Sequence, residues 1–131
     1  MENNSVHEAL TIEEAEEALA QFIDDLPPEI FKGLNCGVAI KPDTTFDKNG
    51  LVILGQYHVD PRGLGRYVTI HYGSMVSVYG HLSPQKFKEK LKEVLHHELT
   101  HHLESLAGDR SLEIKDAHDV AKMLVSKRMG Y

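Results

Sequence analysis

A chain of 131 residues that is 41% apolar and 26% charged is expected to form one soluble globular domain with a real hydrophobic core. A net charge of −6 without a basic block argues against nucleic acid as a partner, since phosphate-backbone binding needs concentrated Lys and Arg. No apolar run approaches the ~20 residues of a membrane span, and a single cysteine, Cys36, excludes an internal disulfide.

Taken in chain order, residues 1–10 ("MENNSVHEAL") read as a flexible polar leader, with neither the basic nor the apolar region of a secretory signal. With the lone cysteine, that makes the cytoplasm the expected location. Residues 11–131 read as a single domain. Thr11 and Glu14 make a T-x-x-E capping box, and Ala15, Ala18, Leu19, Phe22, Ile23 and Leu26 follow at helical spacing until Pro27-Pro28 stops them. "EIFKGL" makes a short turn. "CGVAI" reads as a strand in which Cys36 is a small buried hydrophobe, and "PDTTFDKNG" as a loop. "LVILGQYHV" is a second strand, ended by the turn-forming "DPRGLG". In "RYVTIHY" the alternation puts Val68, Ile70 and Tyr72 on one face and Tyr67, Thr69 and His71 on the other, as a half-buried strand requires. "MVSVYG" reads as one more short strand.

Ser83-Pro84 is a helix start, and nothing breaks the pattern until Gly108, which suits a C-terminal cap. Leu91, Leu95, Leu99, Leu103 and Leu106 share one stripe that must face the core. Lys86, Lys88, Lys90 and Lys92 recur every second residue, which scatters their charge around a solvated helix. A short C-terminal helix, marked by Ala117, Val120, Ala121 and Leu124, is expected from near Asp116. The whole is an α+β domain: N-terminal helix, small mixed sheet, long helix, short helix.

The long helix carries four of the nine histidines between His96 and His102. Within that stretch "HELTH" matches H-E-x-x-H. At 3.6 residues per turn, His97 and His101 differ by about 40° around the axis and by one turn along it. Two imidazoles on one rigid rod can therefore converge on a single zinc ion. Leu99 lies near 200° from His97, so the pair points away from the core stripe. Glu98 lies at about 100°, beside the pair, from where a carboxylate can take the proton of a zinc-activated water and pass it to a leaving amine. His96 and His102 lie near 260° and 140°, off that face, and His102 falls in the leucine stripe as a hydrogen-bonded imidazole. A catalytic zinc takes three protein ligands. Candidates for the third are Asp109, Glu113, Glu104 and Asp116. Glu104, at about −20°, suits a partner of a ligating histidine better than a ligand, and Asp116 is also explained as a helix N-cap.

"HELTHH" followed by a glycine-acid pair, a helical leader running into "LPPEI", and "LGQY" ahead of "VTIHY" resemble the minimal-zincin metallopeptidases, small bacterial proteins, over about Thr11 to Asp116. The resemblance implies a compact zincin-like fold, one zinc ion, His97 and His101 as ligands and Glu98 as general base and acid. It also implies a peptide or protein substrate pairing with a sheet edge. The family pattern H-E-x-x-H-x-x-G-x-x-D has a ligating aspartate at its end. Here Glu104 stands at the glycine and Ala107 at the aspartate, and a two-residue insertion in "ESLAGD" would bring Asp109 into the ligand's place. Tyr67, Tyr72, Tyr79 and His71 are the strand residues that could stabilise an oxyanion, although sheet packing explains aromatics there as well. The alternative is a zincin-shaped module that binds metal or a protein partner without turnover.

Overall fold

The structure, a computed structural model, describes residues 9–60, 62 and 65–109. Helix α1 spans Ile12–Asp24, and both arms of the capping box are made: Thr11 Oγ1 accepts from Glu14 N–H at 3.1 Å, and Glu14 Oε1 from Thr11 N–H at 2.9 Å. Ala15, Ala18 and Leu19 are the buried face of this helix. Ala9 and Leu10, read from sequence as the end of a leader, are buried too, and Tyr72 Oη donates to the Leu10 carbonyl at 2.6 Å. The packed body therefore includes them. Pro28–Phe31 forms one 3-10 turn that buries Ile30.

Five strands follow: β1 Val38–Lys41, β2 Thr45–Phe46, β3 Val52–Ile53, β4 Gly55–Val59 and β5 Arg66–His71. They form a mixed sheet in the order β1-β5-β4 and a separate β2-β3 ribbon. β5 pairs parallel with β1 (Val38 opposite Val68) and antiparallel with β4 (Tyr57 opposite Val68). The apolar segment from Leu51 to Val59 is thus divided between two sheets, and the expected loop 42–50 contributes β2. Cys36 corrects its expectation. It is exposed, because the strand begins only at Val38, after Gly37 at a φ of +75°.

"MVSVYG" also corrects its expectation, since Met75 to Tyr79 lie in helix α2, Tyr72–Tyr79, and Gly80 is its C-cap. Short apolar runs do not distinguish strand from helix by periodicity. The outcome follows from pairing: the β5 ladder ends at Lys41 opposite His71, so the next residues satisfy their backbone groups within a helix. Helix α3 spans Pro84–Asp109. Gly108 is therefore part of the helix, and the cap expected there is absent.

Leu91, Leu95, Leu99 and Leu103 lie in the core with Val68, Ile70, Met75 and Phe87, and Leu106 is half-buried. α3 packs across β4 and β5 and against α1. Thr69 and His71, on the opposite sheet face, are buried as well. His71 lies beneath the β1–β2 connection, bonded to Asp43 and to Gln56 of β4. The C-terminal helix expected near Asp116 lies outside the described residues. Leu95 is fully enclosed, so Leu95→Ala should cost about 2–5 kcal/mol through lost transfer energy and the cavity left behind. A urea titration should show a lower midpoint at unchanged slope, and an unchanged midpoint would contradict this packing.

Candidate metal centre

Helix α3 separates its histidines by exposure. His97 and His101 face solvent, whereas His96 and His102 are fully buried. The exposed pair has ring centroids 4.6 Å apart, planes at 87°, and Nε2 atoms 3.1 Å apart. Two nitrogens held at ~2.0–2.1 Å by a tetrahedral zinc ion would stand about 3.3–3.4 Å apart. The spacing and the chemistry of these two imidazoles therefore fit zinc. Behind His101, on its Nδ1 side, Glu104 Oε1 lies at 3.5 Å. A carboxylate there can orient the ring and select the tautomer that leaves Nε2 free for a metal. Both groups are exposed, so the contact contributes orientation and little stability.

Glu98 is only 6% exposed although it directly follows solvent-facing His97. The cause is β4, whose first residue, Gly55, lies against the Glu98 side chain. Burial pushes the Glu98 carboxyl above the ordinary carboxylate range, and the attraction of His97 and His101 offsets this only in part. A carboxyl raised in this way is better matched to accepting and returning a proton near neutral pH.

Among the described residues no third His, Cys, Asp or Glu joins this pair in a metal-binding group. Asp109 is the last residue of α3, which places its backbone ~12 Å along the axis from that of His101. Its side chain lies outside the described residues, as do Glu113 and Asp116.

His102 anchors a network that the sequence only hinted at. Its Nε2–H donates to the Lys32 carbonyl at 2.8 Å, which leaves Nδ1 to accept from Tyr57 Oη at 2.8 Å. Arg66 Nη1 donates to the same hydroxyl at 2.8 Å and to Ser105 Oγ at 2.6 Å. The network ties α3 to β4, to β5 and to the turn after Ile30. Burial lowers the His102 pKa, the nearby Arg66 charge lowers it further, and the bond to Lys32 pulls the other way.

The four candidates for oxyanion contacts are otherwise engaged. Tyr67 stacks on His58 at 4.4 Å, Tyr72 Oη donates to Leu10, Tyr79 packs on the core beneath Lys90, and His71 Nδ1 lies 2.7 Å from Asp43 Oδ1. The residues that sequence reasoning missed are Gly55, Tyr57 and Arg66. A glycine inside a strand pattern was the available signal for the first, because it often marks close backbone approach.

The two titrating groups give opposite pH dependences in the metal-free protein. His102 has a lowered folded pKa, so its stabilising contribution is complete above about 6.5 and is lost as the pH falls below that value. Glu98 has a raised one, so its contribution is present below 4.5 and is lost as the pH rises through the folded value. Glu98→Gln removes the second contribution alone. The Tm of that variant should rise more steeply than wild type between about pH 5 and 7. Coincident profiles would show that Glu98 ionises as freely in the fold as in the unfolded chain.

No family model and no curated protein matches the chain. Among solved structures, a conserved hypothetical protein from Thermus thermophilus is similar, with a TM-score of 0.65 and 31% identity over 76% of this chain and 100% of that one. With that protein covered from end to end at this identity, the chain belongs to the same family of small α+β proteins.

Proposed function

We propose that this protein is a cytoplasmic zinc-dependent peptidase of the minimal-zincin type. The observation that carries the reading is the pair of Nε2 atoms, 3.1 Å apart on the open side of α3, with a buried carboxyl between them in sequence. His97 and His101 would hold the ion, and Glu104 would orient His101. Zinc bound there would supply Lewis acidity, acidifying a water molecule and polarising a substrate carbonyl. Glu98 takes the proton from the attacking water and returns it to the leaving nitrogen, and its raised pKa suits both transfers.

The substrate is an extended peptide. His71 N–H donates to Leu54 O and Asp60 N–H to Gly65 O, which makes Leu54, Gln56 and His58 the residues that bond inward to β5. Gly55, Tyr57 and Val59 therefore direct their main-chain groups to the free edge of the sheet, where an added strand would pair. No helix among the described residues is long and apolar enough to cross a membrane.

A second reading, metal binding without turnover, is favoured by one observation. Asp109 has helical backbone within α3 instead of lying on a segment folded back beyond a cap at Gly108. Metal analysis and a peptide-library digest of the wild type and Glu98→Gln separate the two. Zinc with cleavage only in the wild type supports the peptidase, and zinc with no cleavage in either supports the second reading.

A further inference from the structure

The backbone of Gly55 is not in the left-handed region, so nothing in its conformation demands glycine. A glycine within a strand costs ~0.5–1 kcal/mol relative to alanine. The reason for its presence is space. A methyl group on its Cα would stand 2.8 Å from Val94 Cγ1, 3.2 Å from Glu98 Cγ and 3.4 Å from Glu98 Oε2. Three bodies meet at this point, and two of them cannot yield. Val94 is β-branched on a helix and held to essentially one rotamer. The strand is clamped two residues on, where Tyr57 is bonded to His102 and to Arg66. The group left to move is Glu98.

We propose that Gly55 is a positioning residue: its missing side chain lets the edge strand lie directly on Glu98 and holds that carboxyl beside His97 and His101. The proposal rests on the peptidase reading for its catalytic consequence, and on packing alone for its structural one. A displacement of about 1 Å at a proton-transferring group can cost ~10²-fold in rate.

The test compares wild type, Gly55→Ala, Val94→Ala and the double variant. In the zinc-loaded proteins, Gly55→Ala is expected to lower kcat about 10- to 100-fold while KM stays within about threefold. Zinc affinity should be unchanged, because the ligating imidazoles lie on the solvent side. Val94→Ala vacates the closest contact and should restore most of the lost kcat. Simple destabilisation predicts the reverse, since a second large-to-small change in a packed region adds damage. Wild-type kcat in Gly55→Ala, or a double variant no faster than Gly55→Ala, overturns the proposal.

A thermal cycle on the metal-free proteins provides a readout independent of activity. The Tm loss caused by Gly55→Ala should shrink in both the Val94→Ala and the Glu98→Ala backgrounds, and additive losses overturn the proposal. A wild type that binds zinc and cleaves nothing removes the peptidase reading, while the cycle still decides whether Gly55 seats Glu98.

Discussion

Replacing Glu98 with Gln is expected to leave zinc binding intact and lower peptide cleavage by about 10²–10⁴-fold, the range attributable to a positioned proton-transferring group. The substitution is nearly isosteric, so the β4 backbone over Gly55 and the His97–His101 spacing should persist. What disappears is the capacity to accept a proton. Amides do not ionise in this range, so the variant should be inactive at every pH tested and should not merely show a shifted optimum. Zinc content should be measured on the same preparation. An active Glu98→Gln enzyme would move the base elsewhere, and a zinc-free one would mean that Glu98 is a ligand.

The second large effect concerns the metal. Removing one of two imidazoles, as in His101→Ala, breaks the pair of Nε2 atoms that stand 3.1 Å apart on α3. Zinc present at 100 times its Kd stabilises the fold that binds it by ~2.7 kcal/mol. Wild type should therefore lose Tm on addition of a chelator, whereas His101→Ala should melt at the same temperature with or without one. His102→Gln, off the metal face, should retain the chelator response even if its baseline Tm is lower. A wild-type melting curve that ignores both zinc and chelator would remove the metal centre itself. Because ligation requires neutral imidazoles, the zinc-dependent part of the stability should fade as the solution is acidified.

The elements that were readable in advance are those specified by local chemistry. Thr11 and Glu14 cap their own helix with each other's atoms. Ser83-Pro84 starts α3, and five leucines at helical spacing determine which side of it turns inward. Once that side is chosen, the 100° advance per residue leaves His97 and His101 outside and draws His96 and His102 inside. The exposure of His97 and His101 thus followed from helical geometry alone. "MVSVYG" failed because its state depends on whether a neighbouring strand has backbone groups left to pair, which is a property of β1 and not of the segment. Cys36 failed for a related reason: a small offset at the start of β1 left it on the surface.

Sequence by itself determined the helix carrying HELTH, the side of it that faces solvent, and the i, i+4 geometry that brings two imidazoles together. All of these depend on contacts within one turn. Tertiary structure alone decided that Glu98 is enclosed, that its carboxyl titrates high, and that Tyr57 and Arg66 hold the helix against the sheet. Those properties arise where β4, far upstream in the chain, crosses α3, and a carboxylate's environment is set by whatever the fold brings over it.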